Sequence, residues 1–376
     1  MPGIAVIGCG YWRPNHVRTF CGIPDCRVTA VDVDVTRLAR LVQTCPAIRV
    51  EDSLDRVLED PAIDAVAVAI ATPTQTHFDL VRRALFAGKH VLCEKPLCTE
   101  TAAARQLMEL AIERRRVLMV GHVFLFNPGI ETIKDLFQQG DLGEIRYCSA
   151  TRTNLGPVRS DVNVAYDLAA HDIAIFNWLL DAIPEDVSGQ GGGWLQRGIE
   201  DVAFIQMRYP GGCLAHIHAS WLNPIKVRQI TVVGSQRMLT WDDLDLSSPV
   251  TVFDRGAVVS KSSASFGGID KVQTWDVDVR RPKITAVEPL RVQNNAFLEA
   301  IQSGRVVRSD GRFALGVVHA LQAVAESLAL GGVPIRLDDA VAADVTPERH
   351  ARQPVESLSS RMTGREILGV GNQRRN

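Results

Sequence analysis

The chain has 376 residues, 46% of them hydrophobic, and its 41 basic side chains nearly balance 43 acidic ones for a formal charge of -2. That length exceeds what one core ordinarily covers, so two domains are expected, each able to bury a proper core. The balanced charge leaves no electrostatic footprint for nucleic acid or an anionic membrane, and a small molecule is the expected partner.

Eight cysteines, at 9, 21, 26, 45, 93, 98, 148 and 213, form no C-x-x-C pair, and several fall inside apolar runs where cysteine behaves as a small hydrophobe. That usage suits a reducing cytoplasm. The N-terminus enters a strand pattern within four residues, with no basic leader and no small-residue cleavage site. No apolar run reaches the roughly 20 residues that span a bilayer. A soluble, unexported, cytoplasmic protein is expected.

From residue 4 to about 122 the short apolar runs "IAVIG", "RVTAVDV", "IRVE", "AVAVAI", "HVLCE" and "VLMVGH" alternate with helical patterns. Six Val- and Ile-rich runs separated by amphipathic segments predict an α/β fold, a doubly wound parallel sheet. One intervening helix is marked by Phe78, Val81 and Leu85 at i, i+3 and i+7, with Gly88 as its C-terminal cap. Asn127-Pro128 then predicts an N-cap followed by proline in the first turn, with Ile130, Ile133 and Phe137 as the buried stripe before Gly140.

After one more helix, strand-like runs follow with no helices between them: "VAFIQMRYP", "CLAHIHASWL", "VRQITVVGS" and "VTVFDRG". Pro210-Gly211-Gly212 predicts a hairpin between two of them. The second domain is therefore expected to be α+β, with a large, mostly antiparallel sheet that keeps one face open. Helical periodicity returns at 293 to about 330, with Phe297, Ile301, Val317, Leu321 and Val324 as apolar positions. Beyond about 345 the chain is polar, with six arginines against three glutamates, and is expected to be a mobile tail or an arm that orders on a partner. The predicted division is 1–123, 124–345 and 346–376.

Gly8 and Gly10 follow a predicted strand and precede a predicted helix, the context that makes a dinucleotide turn G-x-G-x-x-G credible. The first glycine makes the tight turn, and the second lets the backbone approach a pyrophosphate on the helix N-terminus. Arg13 stands where the third glycine belongs. That glycine serves helix-on-strand packing, so Arg13 is either an outward side chain adding a contact to a phosphate or an exposed arginine making none. Asp32 ends the second strand, 22 residues after Gly10, where a carboxylate accepts from ribose hydroxyls and repels a 2′-phosphate. The expected cofactor is NAD, and Arg37 nearby leaves NADP open.

"HVLCEKPL" puts Glu94, Lys95 and Pro96 at the carboxyl end of the fifth strand, the ligand-binding edge of an open α/β sheet, where Lys95 reads as a donor aimed into the crevice. In "DVNVAYDLAAHDI", Asp167 and His171 lie four apart on one helix face, so the carboxylate is expected to orient the imidazole and stabilise its protonated form; a chance surface pair is the plainer reading. His216 and His218 share one side of a strand. No Asp, Glu or Cys beside them completes a ligand set, so they are expected to be sheet-face residues near the substrate and no metal site is predicted. Trp194, Trp221 and Trp241 could stack on a sugar or base, though core placement is the commoner use of tryptophan.

Seven motifs in order, "GCGYW-PN", "ATPTQTH", "AGKHVLCEKPL", "GHVFLFNPGI", "RTNLG", "DVNVAYDLAAHDI" and "EPLRVQNNAFLEAI", resemble the Gfo/Idh/MocA family of NAD(P)-dependent sugar oxidoreductases from residue 4 to about 330. The wording is most similar to members that act at C3 of nucleotide-linked deoxysugars or amino sugars. The resemblance implies a Rossmann domain, then an α+β domain whose open sheet makes a homodimer or homotetramer contact. It makes Lys95 the active-site lysine, with Asp167 and His171 the D-x-x-x-H pair and His171 the acid/base. It places Gly8, Gly10, Tyr11, Trp12, Arg13, Asp32, Thr72, Pro73, His77, Glu94 and Lys95 around the cofactor. Lys95, Asn127, Asn163, Asp167 and His171 fall around the substrate.

Arg13 departs from the family's usual glycine, which bears on cofactor affinity and leaves the fold expectation alone. Two rival activities accompany the dehydrogenase reading: an NAD-dependent glycosidase that oxidises C3 transiently, and a regulator that senses dinucleotide without turnover. A pure sensor would need none of Lys95, Asp167 and His171.

Overall fold

The computed structural model describes residues 2–8, 14–68, 74–260 and 271–345. Its N-terminal half is built from β1 (Gly3–Ile7), α1 (Pro14–Cys21), β2 (Arg27–Val31), α2 (Val35–Thr44), β3 (Arg49–Glu51), α3 (Leu54–Glu59), β4 (Ala65–Val68), α4 (His77–Phe86), β5 (His90–Glu94), α5 (Thr101–Glu113) and β6 (Leu118–Gly121). The six strands form one parallel sheet in the order β3-β2-β1-β4-β5-β6. Every residue of β1 and β6 is buried, as expected for strands covered by helices on both faces. The chain reverses its direction of winding between β1 and β4, and the crevice beyond their carboxyl ends is where such a sheet binds ligand.

The second half contains α6 (Pro128–Gln138), β7 (Ile145–Thr153), a π-helical turn at Ala165–Ala169, α7 (Ala170–Leu180), β8 (Asp186–Gly192), β9 (Val202–Arg208), β10 (Leu214–Ser220), β11 (Val227–Gly234), β12 (Met238–Asp242), β13 (Val250–Ser260), β14 (Lys271–Arg280), α8 (Pro289–Ser303), α9 (Gly311–Ala329), β15 (Ile335–Arg336) and α10 (Asp339–Val345). Nine strands make the sheet β14-β13-β12-β11-β7-β10-β9-β8-β15. All its pairs are antiparallel except β7 with β10. The hairpin at Pro210–Gly212 closes β9 onto β10, with Tyr209 N–H donating to Cys213 O at 2.9 Å. The expected N-cap is also made, since Asn127 Oδ1 accepts from Gly129 N at 2.8 Å.

Strand β7 precedes α7 and lies in the middle of the large sheet, whereas the sequence places the strands only after that helix. Its run "IRYCSATRT" carries two arginines and four hydroxyl-bearing residues, so it lacks the apolar alternation that marks a strand. One of those arginines, Arg152, is nonetheless buried, on the same face as Cys148 and Ala150.

Helix α9 joins the two halves. Ala314, Leu315 and Val318 enter the core of the parallel sheet with Leu107 and Ala111, while Val317, Leu321 and Val324 enter the core of the large sheet with Val187. A helix apolar on two faces is one buried from both sides. The 346–376 segment lies outside the described residues.

Candidate active site

The site is assembled at the carboxyl ends of β5 and β6, against the π turn and α7. At the end of β5, Glu94 is buried and turns inward: its Oε1 receives His16 Nε2 from α1 at 2.7 Å, and its Oε2 receives the Lys95 backbone N–H at 3.3 Å. Gly121 on the adjacent strand makes this possible, because a Cβ there would come within 2.9 Å of the Glu94 carboxylate. The Lys95-Pro96 bond is cis, and Pro96 O accepts from Nδ1 of His77 at 2.9 Å.

With its backbone so held, Lys95 directs its ammonium onto the π turn. Nζ donates to the backbone carbonyl of Asp167 at 2.6 Å and to its Oδ1 at 3.2 Å. A π turn loosens the helical ladder and frees such a carbonyl. The other carboxylate oxygen of Asp167 accepts from Trp221 Nε1 at 3.0 Å, and Arg159 Nη1 stands 3.8 Å from Oδ1. Burial alone would raise the Asp167 pKa, but Lys95, the indole and Arg159 together hold it below the usual carboxylate range.

His171 follows on the first turn of α7. Its ring meets the edge of Phe124 at 4.9 Å, and the same phenyl ring carries the Arg152 guanidinium at 4.4 Å and that of Arg228 at 5.7 Å. Burial, then Lys95, Arg152, His122 and Arg228, push the imidazole pKa well below 6.5. The His171 imidazole is therefore neutral at working pH. Its buried Nδ1 has no hydrogen-bond partner among the described residues.

This corrects one expectation: Asp167 does not orient His171. The carboxylate is drawn instead to the ammonium, the indole and the guanidinium. The imidazole is flanked by cations, and the arginine among them that is buried, Arg152, is itself neutralised by Asp172 in a two-point pair at 2.7 and 2.8 Å.

The segment between β7 and the π turn closes the site from the side. Asp161 accepts from the N–H of Thr74 at 3.0 Å and from Arg159 at 2.6 and 2.9 Å, and Arg159 Nη2 also donates to Thr74 Oγ1 at 3.2 Å. Asn163 Nδ2 donates to Glu200 at 2.8 Å while its Oδ1 accepts from Tyr166 N at 3.3 Å. Asn127, besides capping α6, donates to Asp243 at 3.2 Å, and Asp243 is in turn paired with Arg228 at 2.9 Å. Both asparagines thus spend both ends of their amides on the protein. Buried Glu94 and His77 likewise bond to protein groups.

At the dinucleotide end, β1 runs into Gly8, whose φ of 80° lies in the left-handed region open to glycine, and Gly8 N–H donates to Val31 O. Asp32 sits buried just past β2; its Oδ1 accepts from Asp34 N at 2.8 Å and Arg37 Nη1 lies 3.6 Å from Oδ2. Gly10, Tyr11, Trp12, Arg13, Thr72 and Pro73 lie outside the described residues. A left-handed glycine after β1, an acid after β2, and buried polar atoms at this edge without partners among the described residues, His16 Nδ1 and His77 Nε2, fit a dinucleotide laid across the crevice.

His216 and His218 are not beside this site. Strand β10 alternates, and both histidines project with Leu214 from the face opposite Ala215, Ile217 and Ala219, which share the Arg152 face. There His218 stacks on Phe204 at 4.6 Å. Among the described residues no group of three or more His, Cys, Asp or Glu could hold a metal ion. Trp241 is fully buried, Trp221 is buried with its N–H on Asp167, and Trp194 is 71% exposed.

Sequence reasoning missed His16, Phe124, Arg152, Arg159, Asp161 and His122. His122 is buried, and burial with the nearby Lys95 charge pushes its pKa down to about 3. Only Arg152 and His16 left a trace, as charged or polar residues at positions where a strand or helix should be apolar.

Residues 3–122 match a family model described as an oxidoreductase family with an NAD-binding Rossmann fold, and residues 130–240 match that family's C-terminal domain. A UDP-N-acetylglucosamine 3-dehydrogenase of Acidithiobacillus ferrooxidans is 30% identical over 81% of this chain and 90% of its own. Its solved structure superposes with a TM-score of 0.71 at 28% identity, covering 87% of this chain and 98% of the other. An inositol 2-dehydrogenase of Saccharopolyspora erythraea is 34% identical over 47% of this chain and 53% of its own. The structure of GenD2 from gentamicin A biosynthesis, in complex with NAD, shares the fold with a TM-score of 0.74 at 24% identity, covering 90% of this chain and 96% of that one.

Proposed function

The chain belongs to the Gfo/Idh/MocA family of NAD-dependent oxidoreductases, and from that premise we propose that it moves a hydride between NAD and C3 of a sugar, a nucleotide-linked sugar or an amino-sugar glycoside. The nicotinamide ring, when bound, supplies the hydride acceptor at its C4. The chain's own residues do the rest. In the oxidation direction the C3 hydroxyl gives its proton to neutral His171 as the C3 hydride leaves, so alcohol plus NAD becomes ketone, reduced NAD and a proton. Lys95 holds the same oxygen with its ammonium and polarises it as the carbonyl forms.

Asp167 acts through Lys95. It fixes the ammonium with two acceptors, and Trp221 and Arg159 fix Asp167 in turn. The observation that carries the reading is this pairing of a held ammonium with an imidazole that burial, and then the nearby cations, keep unprotonated. Asp32 favours NAD over NADP by repelling a 2′-phosphate.

The decisive experiment mixes the enzyme and NAD with UDP-N-acetylglucosamine, with amino-sugar glycosides and with inositol, and follows the reduced nicotinamide band. Formation of a 3-keto sugar supports the proposal. A hydrolysed glycoside with no net reduction of NAD would instead indicate the glycosidase reaction.

The outer face of the large sheet supports association of two or more chains, since Tyr147, Phe204 and Leu214 lie exposed together on it. Sedimentation of the purified protein, with Phe204→Glu as the disrupting variant, tests that assembly.

A further inference from the structure

Two buried histidines grip the catalytic turn from opposite sides. His16 is 1% exposed in the first turns of α1, the helix that follows the glycine-rich segment, and its Nε2 lies 2.7 Å from Glu94 Oε1. His77 is 0% exposed at the start of α4, directly after the Thr74–Thr76 turn, and its Nδ1 lies 2.9 Å from Pro96 O. A carbonyl and a carboxylate only accept, so His77 carries its proton on Nδ1 and His16 on Nε2. Glu94 Oε2 receives the Lys95 N–H, so the carboxylate links His16 to the lysine backbone itself.

The residues before α1 and before α4 are the two stretches of a Rossmann domain that border a dinucleotide, at its pyrophosphate and its nicotinamide. Each carries one histidine, and each histidine ends on a residue flanking Lys95. The remaining ring nitrogens, His16 Nδ1 and His77 Nε2, are buried with no partner among the described residues, so within the described residues each ring is held through a single bond. Purely structural histidines of this burial are ordinarily satisfied at both nitrogens.

We propose that His16 and His77 are positioning residues that transmit dinucleotide occupancy to the Lys95 turn. Dinucleotide bound at the N-terminal ends of α1 and α4 sets the two helices, and the two imidazoles then fix Glu94 and Pro96 so that the ammonium is aimed before the sugar arrives. This rests on Lys95 acting as in the proposed reaction, but it concerns the coupling of that residue to the cofactor and not the identity of the sugar.

Hydrogen exchange of the peptide spanning residues 91–98, followed with and without NAD, tests the coupling without turnover. The variants are His16→Leu and His77→Leu, which remove the bonds, and His16→Gln and His77→Asn, whose amide nitrogens replace Nε2 and Nδ1. NAD affinity is measured on each by fluorescence titration, and thermal melting reports folding. In the wild-type protein NAD is expected to slow exchange of this peptide at least fivefold. With each variant saturated with NAD as its own titration requires, the leucine variants are expected to lose that slowing and the amide variants to regain it.

No NAD-linked slowing in the wild-type protein overturns the proposal, and does so even if a leucine variant fails to fold. Slowing that survives in both leucine variants, or that is lost equally in the leucine and amide variants, overturns it as well. Lys95→Met keeps the clasp, so NAD-linked slowing is expected to persist there. Turnover that survives in Lys95→Met would strike at the proposed reaction and leave the exchange result to be judged separately.

Discussion

Lys95 Nζ lies 2.6 Å from the backbone carbonyl and 3.2 Å from the carboxylate of Asp167, so one residue of a π turn fixes the ammonium at two points. Removing the carboxylate charge leaves the carbonyl in place but takes away the anionic partner of a buried ammonium. Asp167→Asn is expected to lower kcat about 10–100-fold, and Lys95→Met about 10²–10³-fold, the scale of one lost oxyanion-type donor. NAD affinity should be nearly unchanged in Asp167→Asn. Steady-state kinetics with titration of NAD binding checks the pair.

His171→Ala is expected to lower kcat by about 10²–10⁴, the usual worth of a general base. The pH dependence has a definite sign. A base whose pKa is pushed well below 6.5 stays deprotonated until the medium is more acidic than an ordinary histidine requires. The acid limb of the kcat/KM profile should therefore lie below 6.5. Arg228→Met removes one of the cations responsible and should move that limb to higher pH. A limb that does not move would show that the guanidinium is too well screened to matter.

Asp32 lies just past β2 with Arg37 only 3.6 Å away. Asp32→Ser removes the charge that repels a 2′-phosphate and releases Arg37 to meet one. The ratio of NADP to NAD use, measured as kcat/KM, is expected to rise about tenfold, equivalent to about 1.4 kcal/mol.

The buried pair Arg152–Asp172 is a structural bet of a different kind. Each side chain is almost wholly enclosed, so Asp172→Asn strands the guanidinium under Phe124. About 3–5 kcal/mol of stability should be lost, read as a shift in the urea midpoint.

His122 titrates at about 3 in the fold and near 6.5 when unfolded. The fold disfavours its charged form, so the stability it lends is full above 6.5 and is lost as the pH falls toward 3. Melting temperature should drop with acidification in that window, and His122→Gln should flatten the slope.

Much of this could be read from residue order alone. The parallel sheet follows from apolar runs that must be buried on both faces, and Gly8, Asp32 and Lys95 stand at strand ends that the alternation of strands and helices puts on one edge. The Asp167–His171 spacing put both residues in one helical stretch, the π turn running into α7. Those features are local periodicities, and local periodicity is written in the chain.

What tertiary structure alone decided is who bonds to whom. Spacing could not tell that Asp167 serves Lys95 from a distance of 72 residues in sequence, nor that His16 and His77 reach the same short turn from two helices. Strand β7 escaped notice for the same reason: Arg152 is polar in sequence and becomes a buried residue only because Asp172, 20 residues on, meets it across the core. A buried charge is stable only beside its partner, and the partner is supplied by the fold rather than by the neighbouring residues.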